Sequence, residues 1–276
     1  MPGPLCAFHR RLAAACALTG FAGAAVAEGP QDRHWAQLEY FFPTIASTAR
    51  LDFPGTRLPG TSIALEDDLG LSDRKGTPYF LIGTRLGENW RLEFEYYQLN
   101  RSASQTTQRT INWGNATFPV STTVNSEFDS SIYRLTGGYS FYRTPQAEAG
   151  ASLGLHVTDF KASLAGQGNG PVGAGFQSEK RDATVPLPTL GLYGTYMLTD
   201  SWALRGRVDY LSFNYQGYDG SLTNWMAAVD WRFTPMWSAG LGYRYVDYEV
   251  ESSKDRFQGQ LRYKFKGPTL YVGASF

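Results

Sequence analysis

Cysteine is almost missing from this sequence, and the two it has, Cys6 and Cys16, fall within its first 27 residues. That stretch has the three parts of a cleaved export signal: basic His9-Arg10-Arg11, an apolar run over 12–25, and the small exit Ala25-Val26-Ala27 before Glu28. Ala13 stands where a lipoprotein signal prefers Leu before its Cys, so an ordinary signal is expected over 1–27, with a single domain over 28–276. The processed chain then has no thiol, disulfide or Cys-bound metal, and its closure rests on hydrogen bonds and packing.

Histidine is nearly as scarce: beyond the signal only His34 and His156 remain, too few for a His-based metal cluster. A basic excess is absent too. Removing Arg10 and Arg11 leaves 23 of the 25 basic residues against 25 acidic ones, with no Lys/Arg run, so nucleic acid is excluded as a partner. No apolar run reaches the roughly 20 residues that a membrane-spanning helix needs.

Aromatics, by contrast, make up 15% of the chain, there are 30 glycines, and apolar residues recur at every second position. The clearest case is 90–99, where Trp90, Leu92, Phe94 and Tyr96 alternate with Arg91, Glu93, Glu95 and Tyr97. Similar alternation marks ten segments, beginning near 34, 79, 90, 132, 149, 189, 202, 224, 237 and 256. The first is read as one strand over 34–50, and the last, 256–276, as changing phase at a bulge around Gly267-Pro268. Tight turns (87–89, 143–146, 198–201, 234–236) alternate with longer polar connections (51–78, 101–129, 161–184, 215–221, 251–255), the latter read as outer loops, with protease cleavage expected near 101–129 and 161–184.

A strand with one greasy and one ionic face suits a transmembrane barrel, whose alternate side chains meet lipid and lumen. Short turns on one side, longer loops on the other and an even strand number complete that signature. The expected fold is therefore all-β: an antiparallel up-and-down transmembrane β-barrel of about ten strands, in the outer membrane of a Gram-negative cell. Trp35, Trp90, Tyr139, Phe141, Tyr196, Trp202, Trp231, Phe233, Trp237 and Phe276 lie near strand ends and are expected to form one periplasmic girdle.

The faces opposite the aromatics carry Arg85, Arg91, Arg134, Arg205, Arg207, Arg232 and Arg244 with Glu39, Glu93, Glu95, Asp209 and Asp230. A ten-stranded lumen is narrow. Buried charges there need partners, so these twelve are expected to form a structural network that largely fills the inside.

No catalytic, cofactor-binding or metal-binding residue emerges. His156 and Thr158 share a face, in the manner of the His-x-Ser pair of outer-membrane lipid A deacylases, but Thr replaces Ser and the face points inward, away from lipid. Glu66-Asp67-Asp68 with Asp73 lacks the ordered spacing of an EF-hand loop and is read as solvated carboxylate, with divalent bridging to lipopolysaccharide as the alternative. The G-x-G-x-x-G match at 168–173 precedes no helix and reads as a loop tip.

Three stretches carry a resemblance: Ala64-Leu65-Glu66-Asp67-Asp68-Leu69-Gly70-Leu71, Gly242-Tyr243-Arg244-Tyr245, and Gly267-Pro268 leading to Leu270-Tyr271-Val272-Gly273-Ala274-Ser275-Phe276. They resemble a family of largely uncharacterised Gram-negative outer-membrane β-barrel proteins. The resemblance implies assembly by the outer-membrane insertion machinery, which reads a C-terminal strand ending in an aromatic; it implies no catalytic residue. The expected role is structural or surface-interacting, with outer-membrane lipid and lipopolysaccharide as partners. A small, weakly anion-selective pore and an outer-membrane hydrolase are the alternatives.

Overall fold

A computed structural model describes residues 31–52, 60–170, 173–215, 218–254 and 257–276. The export signal expected over 1–27 lies outside the described residues. Period-two sequence becomes strand almost throughout: β1 (His34–Phe41), β2 (Thr44–Leu51), β3 (Ile63–Ala64), β4 (Thr77–Leu86), β5 (Trp90–Thr106), β6 (Ile111–Trp113), β7 (Ala116–Phe118), β8 (Thr123–Arg143), β9 (Ala147–Gly170), β10 (Gly173–Met197), β11 (Trp202–Tyr215), β12 (Tyr218–Arg232), β13 (Trp237–Lys254) and β14 (Phe257–Ser275).

Ten of these form a ring in the order β1, β4, β5, β8, β9, β10, β11, β12, β13, β14. Antiparallel pairing of β1 with β14, from Trp35 with Ser275 to Phe41 with Thr269, closes it. Closure pairs every strand on both sides through the lower wall, the condition for a strand structure to span a membrane, and β10 runs past its β11 partner above Leu190, at the upper margin of the lipid. An even ring returns both ends of the chain to one side, and the tight turns mark that side as periplasmic.

The lipid band is drawn by the side chains themselves. Leu38, Phe80, Leu135, Leu153, Leu190, Leu204, Leu241 and Val272 all point outward and are exposed. Its upper limit follows cross-strand partners: Tyr96 faces Tyr133, Tyr133 faces Val157, Val157 faces Pro186, and Trp225 faces both Val208 and Tyr245. Above that line the outward positions turn polar: Gln98 on β5, Asp129 on β8, Lys161 on β9, Thr184 on β10, Lys266 on β14.

Several sequence expectations change. The segment 161–184 is almost wholly strand, because β9 and β10 are paired from 147 to 196, and 101–129 is shortened to 107–122 by β5 and β8 running on above the lipid band. At about 3.3 Å per residue, strands of 24 and 25 residues are far longer than a bilayer core of roughly 30 Å requires. The segment 34–50 is broken at Phe42-Pro43 into β1 and β2, both of which pair with β14. No phase change occurs at Gly267-Pro268. Residues 263, 265, 267, 269, 271, 273 and 275 all stay buried, and the irregularity lies on the partner strand instead. Gly267 is what admits it, since a Cβ there would stand 2.1 Å from the Phe42 carbonyl oxygen.

Trp35 is likewise not in the periplasmic girdle. It is 3% exposed and points inward, its indole filling the space over Gly83, where a Cβ would meet the ring at 2.1 Å. The other nine girdle aromatics point outward.

Candidate functional site

The interior has two storeys of opposite chemistry. Within the lipid band the inward side chains are mainly charged or polar, with Trp35, Leu81 and Leu187 among the exceptions; above it they are mainly apolar, including Ile45, Ile63, Leu99, Val124, Phe128, Leu164, Val246 and Phe265. The reason is the solvent on the other side of the wall. Where lipid is outside, polar groups have only the lumen to face; where water is outside, the hydrophobic effect turns apolar groups inward, as in a soluble barrel.

In the lower storey the twelve charged residues are buried, except Arg205 and Arg207, which are partly exposed. The Arg134 guanidinium on β8 donates to Glu95 Oε1 on β5 at 2.6 Å and to Asp209 Oδ1 on β11 at 2.8 Å. Arg207, also on β11, reaches the same Glu95 at 2.8 Å, Glu93 at 3.2 Å and Asp209 at 3.0 Å. Since β11 lies four places from β5 around the ring, these bonds cross the lumen. Arg244 on β13 pairs with Glu39 at 3.5 Å and Glu95 at 3.9 Å, and stands 4.3 Å over the Tyr79 ring. Arg205 donates to Asp230 at 3.3 Å and to Gln37 at 3.2 Å.

Nearer the periplasm, Arg85 grips Glu148 with two bonds, 2.7 and 3.0 Å, the fork geometry that Arg offers a carboxylate. Arg91 pairs with Glu93 and lies between the rings of Trp35 and Tyr193, at 4.8 and 4.6 Å. Arg232 is in electrostatic reach of Asp200 and of Asp32, whose carbonyl accepts from Arg85 Nε at 3.0 Å. The sequence reading left out Glu148, although it shares parity with Ser152 and His156 on β9; it also left out the phenols of Tyr79 and Tyr271, which donate to Glu95 and Asp230.

Above the charges, aromatic rings reach from wall to wall. Tyr79 stacks on Tyr97 at 5.0 Å, Tyr97 meets Phe265, and Phe265 meets Phe41 and Tyr263. Tyr263 then touches Phe128 at 5.3 Å and Phe160 at 6.0 Å, and Phe160 touches Tyr248. The Tyr248 hydroxyl is within 2.9 Å of His156 Nδ1 and 3.0 Å of Thr158 Oγ1, so the His156–Thr158 pair is fully buried and bonded to a phenol. Burial pushes the pKa of the Tyr248 and Tyr263 phenols up, that of Tyr263 to about 12.

The acidic segment divides: Asp67 and Asp73 are exposed to solvent as expected, whereas Glu66 and Asp68 are half-buried and built in. Glu66 accepts from the Ser47 amide at 2.8 Å and pairs with Arg101, whose side chain is fully buried, while Asp68 accepts from the Ala64 amide and from Arg109. Leu65, Leu69 and Leu71 of the same segment pack into the apolar core. Among the described residues no cluster of three or more His, Cys, Asp or Glu is placed to hold a metal ion.

The β6–β7 hairpin lies across the mouth. Gly114 N donates to the Leu51 carbonyl at the end of β2, and Thr117 pairs with Asn169 near the end of β9. Beneath it is an apolar cavity of about 480 Å³. Trp113, Phe128, Phe160, Phe213 and Leu261 line it, with β10 residues 181–187 along one side.

A model of the outer membrane protein beta-barrel domain matches residues 13–233. No curated protein matches the chain. Among solved structures, the outer membrane protease OmpT from Escherichia coli superposes with a TM-score of 0.57 at 14% identity, over 89% of this chain and 97% of that one. The attachment invasion locus protein Ail of Yersinia pestis gives 0.34 at 13% identity, over 88% and 99%. The translocator domain of the autotransporter NalP from Neisseria meningitidis gives 0.44 at 13%, over 88% and 89%. At such identities the likeness to OmpT is one of fold.

Proposed function

The chain belongs to the family of outer membrane protein beta-barrel domains and lies in the cell outer membrane; from that premise we propose a non-enzymatic, structural or surface-interacting role for a barrel whose lumen is largely closed. One observation carries this reading. Arg134, 1% exposed, is shared between Glu95 of β5 and Asp209 of β11, and Arg207 returns from β11 to the same Glu95. Removing one partner from a buried ion pair leaves an uncompensated charge, typically at about 3–5 kcal/mol, so opening this crossing is costly.

The surface offered to the outside is then the rigid upper storey, with its polar outward face near lipopolysaccharide. Insertion is read as relying on the β14 strand with its terminal Phe276. A hydrolase fits the interior poorly, because His156 is held by Tyr248 beneath aromatic rings, where no attacking group can be activated on an accessible substrate.

Planar-bilayer recording on the refolded processed chain tests the closed lumen. Flat traces are expected; discrete openings with anion preference would replace this reading with the small pore.

A further inference from the structure

We propose that the apolar cavity of the upper storey houses the hydrocarbon tail of a membrane-resident amphiphile, which enters sideways from the outer leaflet through a seam between β10 and β11. This goes beyond the structural role above, and holds whether or not the charged storey below conducts.

The seam is visible in the pairing. β10 runs beside β9 without a break from Gly173 to Tyr196, but it pairs with β11 only from Leu190 with Tyr210 to Met197 with Ala203. Above Tyr210, β11 turns its pairing wholly to β12, from Leu211 with Leu222 to Tyr215 with Tyr218. Among the described residues, 173–189 therefore have no partner on their β11 side. Pro186 and Pro188 occur just where the ladder stops. Two residues apart, their nitrogens face the same neighbour, and neither can donate.

The seam and the lipid boundary coincide. Tyr210 is the last lipid-facing residue of β11, followed outward by Ser212, whereas β10 stays apolar for two more outward positions, Pro188 and Pro186, before Thr184. The slot thus begins inside the hydrocarbon level on its β10 side. The cavity behind it touches seven consecutive β10 residues, 181–187, which point alternately in and out. Contact with every residue of this stretch, out-pointing Asp182, Thr184 and Pro186 included, sets the space against the edge of the strand that β11 leaves uncovered.

The lining chooses the occupant. Trp113, Phe128, Phe160, Val185, Leu187 and Phe213 offer ring and methyl surface, and 480 Å³ falls within the roughly 300–1,000 Å³ of small-molecule sites. An apolar space of that size favours a hydrocarbon guest over water. Above, the β6–β7 hairpin covers the space, and the aromatic rings floor it, so the side is the route that faces lipid. An added β-strand suits the edge badly, since prolines blunt it.

Photolabelling tests the proposal. The refolded chain is placed in phosphatidylcholine vesicles doped with a phosphatidylcholine that carries a diazirine at one acyl terminus, irradiated, and mapped by peptide mass spectrometry. Adducts are expected on Ala183, Val185 and Phe213 as well as on lipid-facing Leu153 and Leu204. In Ala183→Trp, which fills the cavity, the interior adducts should drop to the unirradiated background while those on Leu153 and Leu204 persist. The wild-type map decides the matter even if that variant does not insert. Labelling confined to the lipid-facing band overturns the proposal, and so does interior labelling by a diazirine fatty acid supplied from water but never by the phospholipid.

Discussion

At the residue scale, the interior depends on carboxylates that serve several cations at once. Glu95 takes bonds from Arg134, Arg207 and Tyr79 and lies near Arg244, so its neighbours cannot be altered singly without leaving charge unmatched in a low-dielectric space. Arg134→Met should destabilise the barrel by about 3–5 kcal/mol, read as a lower urea midpoint of the reconstituted protein. A variant matching wild type within about 0.5 kcal/mol would mean that this crossing holds nothing together.

A second test at this scale uses pH. Tyr263 lies above the lipid band, its hydroxyl 3.2 Å from Ser130 Oγ, and burial lifts its ionisation from 10 to about 12. The neutral phenol is thus favoured in the folded state. Its contribution to stability is complete below pH 10 and is lost as pH rises toward about 12. The urea midpoint should fall across that window, and less steeply in Tyr263→Phe than in wild type.

At the scale of elements, the notable feature is that strands continue well past the bilayer. Their outward faces change from Leu and Tyr to Lys and Asp, and their inward faces from Arg and Glu to Phe and Val. In sequence the change on β14 looks like a slip of phase, because apolar residues move from odd positions (Leu261, Tyr263, Phe265) to even ones (Leu270, Val272, Ala274). The backbone does not slip; both solvents change at once. Lys161, Lys180 and Arg181 consequently stand in paired strand rather than in a loop. Trypsin added to intact cells should spare all three, since cleavage requires unpaired chain, and rapid cutting there would contradict the β9–β10 pairing. Hydrogen exchange adds a finer expectation for 173–189. Amides directed to β9 should be protected and those directed to the seam should exchange, giving alternate protection along β10 but not along β9.

At the scale of the molecule, ring closure sets behaviour. With the ring closed between β1 and β14 and every strand paired on both sides below the β10–β11 seam, the barrel should unfold as a unit and resist detergent, so the protein is expected to migrate differently on gels with and without heating. Identical mobility would deny the closed ring. Seen whole, the barrel has a greasy belt, a charged lower lumen, an aromatic floor and an apolar upper chamber, and each follows from what lies on the two sides of the wall at that height.

The sequence by itself determined the alternation, the tight turns, the parity of the ring and the faces on which Arg134, Glu95 and Asp209 lie, because a period of two is a local property of the chain. The tertiary structure alone decided who meets whom across the lumen: that Arg207 returns to Glu95, that Glu148 takes Arg85, that Tyr248 holds His156, and that β10 parts from β11 above Leu190. Those contacts join strands several places apart around the ring. They depend on its closure and on the stagger of each strand against the next, which no stretch of sequence encodes alone.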